Sequence, residues 1–511
     1  MALHRAGRFA EALASFDAAL ALEPNSAELC NSRGNALRRL KRLPEALASY
    51  ERAIALAPEL AAAWNNRGLV LQAMRRFEEA AASYRRALEL QPQLAEGHNN
   101  LGTVECVLGE PAAALASFRQ ALELQPGLRG VHGNLGNALR DLGRPAEALA
   151  EHGLAMLEEP RAAASHCNRG NALHDLGRLG DAIASYDRAI TLDPGYAQAY
   201  FNKSVCLLLA GQFAQGLPLY EWRKQLPDAT APPLSVPVWH GTEELAGRAL
   251  LIYADQALGD TLQLCRYARL AQQRGARVTL SVQPRLRELL AGLDPAIRVI
   301  GSGDEPGECD YQCALASLPL AFGTTLEAIP AAVPYLGADP QRIAHWRERL
   351  GRGGFKVGIA WQGSRNRIDI GRSAPLAMYS RLATVPGVRL ISLQQDEGVE
   401  PPGSSGPPLE RLAGLDEGPQ AFLDSAAVMV HLDVVITSDT ALAHLAGALG
   451  RPIWVALKYV PDWRWLQGRA DSPWYPGMRL FRQHAPGEWQ GVFGAMHAEL
   501  ARIAQAAARP A

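Results

Sequence analysis

Three short stretches carry residues whose types and spacing suit chemistry on a phosphorylated ligand. The first, Ile436 to Ile453 (ITSDTALAHLAGALGRPI), places Ser438, Asp439 and Thr440 between an apolar run and a helical pattern. His444 follows Thr440 by four residues, so the two share a helix face. A helix that opens directly after a strand turns unpaired N–H groups and the positive end of its dipole towards the crevice beyond the sheet, where phosphates are held. The plainer role for Ser438 or Asp439 is to cap that helix. The second stretch, WQGSRNRIDIGRS, offers Gly363, Ser364, Arg365, Arg367 and Arg372 after an apolar run, a spacing that suits a phosphate clamp as well as a solvated loop. The third is Leu258-Gly259-Asp260-Thr261-Leu262, with a carboxylate at a helix mouth. Asp260 with Gln263 three residues on also reads as a capping box. Gln394 closes another apolar run, and Trp463, Trp465 and Trp474 suit either the flat face of a ligand or, as we favour, a core.

Alternating strand and helix patterns position these residues. Strands are expected at Ala249–Ala254, Arg277–Val282, Ile297–Ile300, Lys356–Trp361, Val388–Leu393 and about Val434–Ile436, with helices between them, including Asp260–Arg274, Pro284–Leu290, Pro340–Leu350, Leu376–Thr384 and Gln420–Met429. Two sets of that alternation predict two doubly wound sheets, 248–352 and 353–511, after a proline-rich linker at 225–247. The segment Pro401–Pro408 reads as a surface loop without chemistry.

The first 224 residues follow a different rule. Prolines recur at 24, 58, 92, 126, 160 and 194, glycines at 34, 68, 102, 136 and 170, and an aromatic at Tyr50, Tyr84, Phe118 and Tyr186, with His152 as the one lapse. A period of 34 residues with small residues at fixed offsets is the pattern of the tetratricopeptide repeat, a pair of antiparallel helices stacking into an α-solenoid. The last unit is degenerate, with Ser204 and Gly216 in place of glycine and alanine. Asn66, Asn100, Asn134, Asn168 and Asn202 recur at one phase of the first helix. Asparagine is a mediocre helix former, so its repetition suggests a ladder of amides able to hold an extended peptide backbone. Simple preference of the repeat for asparagine is the alternative.

These residues support a resemblance. The asparagine column resembles that of O-linked N-acetylglucosamine transferases. LGD-x-L at Leu258–Leu262 and D-T-x-x-x-H at Asp439–His444 resemble the motifs of heptosyltransferase-like, family 9 glycosyltransferases of GT-B architecture. Together with PVWHG, VGIAWQGS and YVPDWRWLQGRADSPWYPGMRLFRQ, the array resembles bacterial tetratricopeptide-repeat proteins with such a domain, a group that includes flagellin glycosyltransferases. The resemblance implies a nucleotide-sugar co-substrate and an acceptor protein, flagellin among the candidates. It implies Asp260 as general base, and Gly259, Ser364, Arg365, Arg372, Gln394, Ser438, Asp439, Thr440 and His444 around the donor. Ala257 and Ala441 stand where relatives often carry glycine.

Composition narrows the classes. With 51 basic and 52 acidic residues the net charge is -1, which gives no general attraction to nucleic acid or anionic membrane. Seven scattered cysteines suit a reducing cytoplasm, and no apolar run approaches a membrane span. No Asp-x-Asp pair occurs, which argues against a required metal. With the resemblance, the expectation is metal-independent, inverting transfer of a sugar to serine or threonine of a captured polypeptide, with no cofactor. The rivals are transfer to lipopolysaccharide or another glycan, and a catalytically inactive scaffold.

Overall fold

The computed structural model describes residues 7–230, 233–363, 371–394 and 408–508. They form two compact units, Met1–Ala172 and Leu173–Ala511.

In the first unit, helices alternate at the expected period: Ala27–Arg39 with Leu43–Leu56, Ala61–Ala73 with Phe77–Leu90, Ala95–Val107 with Pro111–Leu124, and Val131–Asp141 with Pro145–Glu158. The periodic prolines end each second helix by excluding the preceding residue from helical geometry. Ala57, Gln91 and Gln125 accordingly sit at φ −140°, −138° and −144°. The glycine offset has an equally local cause. A Cβ at Gly34, Gly68, Gly102 or Gly136 would lie 2.5–2.8 Å from the ring of Tyr50, Tyr84, Phe118 or His152. Each ring fills the space that glycine vacates, and all four are buried. His152 therefore takes the aromatic slot of its repeat. Burial, with Arg140 adding to it, lowers its pKa to about 4, so the ring is a neutral core group.

The second unit begins with the helices Leu179–Leu192, Ala197–Leu209 and Phe213–Tyr220 and the 3-10 turn Glu221–Gln225. Four parallel strands follow, β1 (Ala249–Tyr253), β2 (Arg277–Val282), β3 (Arg298–Gly301) and β4 (Tyr311–Ala314), in the order β3-β2-β1-β4. The segment before β1 is held against this sheet: Trp239 is buried, and its N–H donates to the Gln312 carbonyl at 2.9 Å.

The second sheet has seven strands: β5 (Phe355–Ala360), β6 (Val388–Ser392), β7 (Leu409–Glu410), β8 (Val434–Ser438), β9 (Ile453–Leu457), β10 (Asp471–Ser472) and β11 (Tyr475–Arg482). Their order is β10-β11-β9-β8-β5-β6-β7, parallel except for the β10–β11 pair. In both sheets the chain first winds one way from its central strand, β1 or β5, and then returns to the other side. The ends of β5 and β8 therefore flank a crevice at the point of reversal, where α/β sheets bind ligands. The region is an α/β domain with one parallel and one mixed sheet. One hydrophobic cluster beneath the second sheet joins Val357, Ile359, Tyr379, Ile436 and Trp454 to Phe493 and Met496 of the C-terminal helix Trp489–Ala507.

The expected helix Asp260–Arg274 is two, Leu258–Leu264 and Arg266–Gln273, and the expected helix at Pro284–Leu290 begins as a 3-10 turn, Pro284–Leu286. The strands β4, β7 and β9 to β11 and the C-terminal helix were outside the expected set. Among the described residues no helix is long and apolar enough to cross a membrane.

Candidate functional site

The site is built on β8 and the helix Ala441–Ala448 that leaves it. All five residues of β8 are buried, as a central parallel strand requires. The plainer capping role does not hold: neither Ser438 nor Asp439 closes this helix, and its N-cap residue, Thr440, makes no side-chain cap bond among the described residues. The Ser438 hydroxyl instead donates to the Trp361 carbonyl after β5 at 3.4 Å, and the Thr440 and Thr437 hydroxyls pair at 3.0 Å. The positive end of the helix is thus left facing the crevice without a side-chain acceptor at its cap.

His444 lies one turn into this helix, as its spacing from Thr440 requires. Its Nδ1 hydrogen-bonds the Tyr475 hydroxyl at 3.0 Å, and its ring stacks on Trp465 at 5.0 Å. Burial, reinforced by the neighbouring Arg464 charge, drops its pKa to about 3. His444 therefore offers a neutral imidazole and no positive charge to a phosphate. Asp439 is also buried, and burial raises its carboxyl pKa against the pull of Arg372. Arg372 reaches over and donates from Nη2 to the Asp439 carbonyl at 2.5 Å. Gln394 Oε1 accepts from the amides of Trp361 and Gln362 at 3.3 and 3.1 Å, so the carbonyl end of its side chain shapes the end of β5. Ser364 and Arg365, with Arg367 and most of the Pro401–Pro408 loop, lie outside the described residues.

Asp260 comes to this place from the first sheet. Its Oδ2 accepts from the Ala257 amide at 3.1 Å, a reach back from the first turn of its helix. That corrects the capping box expected between Asp260 and Gln263: Ala257 is the N-cap, and Gln263 is wholly buried with no hydrogen-bond partner for its amide. Gly259 brings the same turn against His444, since a Cβ on it would sit 3.1 Å from the imidazole. Gly259, next to Asp260, therefore meets His444, and Arg372 meets Asp439 in the turn between Ser438 and Thr440.

The other oxygen of Asp260 contacts Nη2 of Arg464. Arg464 belongs to the 3-10 turn Trp463–Trp465, which Asp462 caps; Asp462 Oδ1 accepts from the Arg464 amide at 3.0 Å and from its Nη1 at 2.8 Å. Burial pushes the Asp260 carboxyl above its ordinary range, and Arg464 only partly offsets this. Arg464, Asp462 and Tyr475 were not singled out from the sequence. The one available signal was aspartate two residues before arginine in PDWR, a local cap that says nothing of the distant partner. Trp463, Trp465 and Trp474 are buried, in keeping with the core role favoured for them. Trp463 and Trp474 pack against Phe213 of the last repeat helix at 6.0 and 6.3 Å.

In the array, successive first helices (Ala27–Arg39, Ala61–Ala73, Ala95–Val107, Val131–Asp141) touch one another more closely than the second helices do, which puts them on the inside of the curve. Their asparagines line this seam and are half-buried. Asn66 donates to Asn31 at 2.9 Å, Asn100 to Asn65 at 3.2 Å and Asn134 to Asn99 at 3.1 Å, so each amide nitrogen is partly committed to the preceding repeat. Their carbonyl oxygens accept nothing among the described residues. Asn168 is half-buried on Ala163–Asp175, and Asn202 accepts from Gln198 at 2.8 Å.

Comparison with known proteins decides the nature of the array. Tetratricopeptide repeat models match residues 61–94 and 100–166, and a TPR repeat model matches 34–74 and 159–203. Residues 34–94 and 100–203 are tetratricopeptide repeats. Repeats of this kind are protein-binding scaffolds. Protein FlbA of Caulobacter vibrioides is 29% identical over 317 residues, which cover 56% of this chain and 52% of FlbA. The chain thus spans about half the length of that curated relative. Among solved structures, YrrB, described as a TPR protein with an unusual peptide-binding site, is 26% identical at a TM-score of 0.33, over 37% of this chain and 97% of YrrB. PilW, a type IV pilus biogenesis factor, is 23% identical at a TM-score of 0.36, over 39% of this chain and 91% of PilW.

Proposed function

We propose that the chain is a protein glycosyltransferase: the repeats capture a polypeptide, and a GT-B pair of Rossmann-like domains, similar to family 9, transfers a sugar from a nucleotide donor to serine or threonine with inversion and without a required metal. The observation that carries this reading is the packing of the turn Gly259–Asp260 on His444, one turn into the helix Ala441–Ala448, whose start has no side-chain cap. A buried carboxylate with a raised pKa is suited to accept a proton from a hydroxyl. Helix N-terminal amides, with Arg372 nearby, are suited to a departing phosphate. Neutral His444 contributes a hydrogen bond to the donor rather than a charge. The neutral amide oxygens of Asn66, Asn100 and Asn134 accept backbone N–H groups without reading side chains. The acceptor is an extended segment, with flagellin the first candidate, and the working compartment is the cytoplasm.

A second reading, a binding scaffold without catalysis, draws on the contact between Asp260 and Arg464, because a carboxylate held by a guanidinium is a weaker base. Titration with UDP, ADP, GDP and CMP separates the two, since a ligand of the folded state raises the melting temperature. A shift with at least one nucleotide, together with release of that nucleotide from its sugar conjugate when acceptor is added, supports the transferase. Absence of both leaves the scaffold.

A further inference from the structure

Arg464 is the least explained charge at the site. Its side chain is 8% exposed, and its guanidinium is divided between two carboxylates, Asp260 at Nη2 and Asp462 at Nη1. The third nitrogen, Nε, is buried and has no hydrogen-bond partner among the described residues. A buried N–H without an acceptor is costly, and its presence on a side chain that already holds two ion pairs marks a group able to take a further anion. The surroundings fix where that anion would lie. The turn that carries Arg464 continues into Trp465, which stacks on His444, and the Arg464 charge acts on both His444 and Asp439. Arg464 thus stands between the carboxylate of the first sheet and the positive helix end of the second.

Resting on the nucleotide-sugar reading above, we propose that Asp260 and Arg464 form a latch opened by the donor: the diphosphate of the arriving donor takes the Arg464 guanidinium from Asp260, and only then is the carboxylate released to act as base. Asp462 stays with Arg464 throughout, because it also caps the turn. A diphosphate brings more negative charge than one carboxylate, and a bidentate guanidinium contact suits its oxygens. The base is quiet in the unliganded protein, so transfer waits for the donor whether or not the acceptor is already held. No covalent bond changes in this exchange; one ion pair replaces another.

Isothermal titration of the full chain with inorganic pyrophosphate, and with UDP, ADP, GDP and CMP, tests the latch. In Asp260→Asn the guanidinium is released in advance, so pyrophosphate and the preferred nucleotide bind about ten-fold more tightly or better, the worth of one charge-assisted contact. Asparagine retains an oxygen for the Ala257 amide, and circular dichroism checks folding. Arg464→Ala binds more weakly than the parent, and the double variant Asp260→Asn with Arg464→Ala binds no better than Arg464→Ala alone. An equal gain in both backgrounds would mean simple removal of a negative charge and would overturn the latch. Unchanged or weaker binding in folded Asp260→Asn would also overturn it, while leaving the transferase reading standing if the nucleotide binds. Failure of every nucleotide and of pyrophosphate to bind would sink both.

Discussion

In the array, the glycine of each repeat lies under the ring of its own partner helix, and Gly34, Gly68, Gly102 and Gly136 meet Tyr50, Tyr84, Phe118 and His152 in one geometry. Around Asp260 the contacts come instead from segments far apart in the chain: Gly259 against His444, Asp260 against Arg464, and Arg266 donating from Nη1 to the Trp474 carbonyl at 2.8 Å. The first region repeats a local packing solution and spreads its energy over many equivalent slots. The second is assembled once, from residues that follow no repeat. Changes in the packing slots of the array should therefore appear as stability, and changes at the site as rate with little loss of fold.

The largest effect is expected at the unrepeated site. Asp260→Asn should lower sugar transfer by about 10²-fold or more, the worth of a positioned base, while leaving the melting temperature near that of the parent. A variant that melts early as it loses activity would erase the distinction between the regions.

Next in size is acid sensitivity of the array. His152 has its pKa lowered from 6.5 to about 4, so the unfolded chain binds a proton that the folded chain refuses. Stability from this group is therefore full above pH 6.5 and falls as pH drops towards about 4, by about 3 kcal/mol for a shift of that size. Urea unfolding at pH 7 and pH 4.5 measures it, and His152→Phe, which restores the usual aromatic, should remove most of the loss. Equal acid sensitivity in that variant would place the titrating group elsewhere.

Gly68→Ala should follow. Its new methyl would lie 2.5 Å from the Tyr84 ring, and overpacking of this kind costs about 1–3 kcal/mol. Pairing it with Tyr84→Leu should recover part of the cost if the slot is truly a local pair.

Smallest is Asn100→Ala. Better helix propensity offsets the lost Asn100–Asn65 bond, so stability should change by under about 0.5 kcal/mol. Acceptor affinity should fall about two- to ten-fold, the value of one backbone hydrogen bond. Unaltered affinity would return the asparagine column to a purely structural role between repeats.

The same contrast explains what was legible beforehand. The array could be read almost to the residue because a 34-residue period and its proline, glycine and aromatic offsets each have a local cause. Alternating strands and helices were legible up to β8, where apolar runs and turn residues are clear, except for the short strands β4 and β7. The strand β11 was not, since Pro476, Gly477 and Arg479 break its apolar run and it is held by its neighbour β9. At the site, Gly259, Asp260, Asp439 and His444 stood out through their positions at strand-helix turns. Arg464 did not, because nothing near Trp463 signals a partner on the helix Leu258–Leu264. The neutral state of His444 was equally hidden, since it comes from burial between Trp465 and Tyr475.

The central claim, that this chain moves a sugar onto a protein, is tested most directly by intact-mass measurement of a candidate acceptor, flagellin first, co-expressed with the parent chain or with Asp260→Asn. The account predicts a sugar-sized increment with the parent that is lost with Asp260→Asn and removed by substituting the modified serine or threonine. An increment of equal yield with Asp260→Asn, or an unmodified acceptor that the repeats nevertheless bind tightly in the presence of the matching nucleotide-sugar, would contradict it.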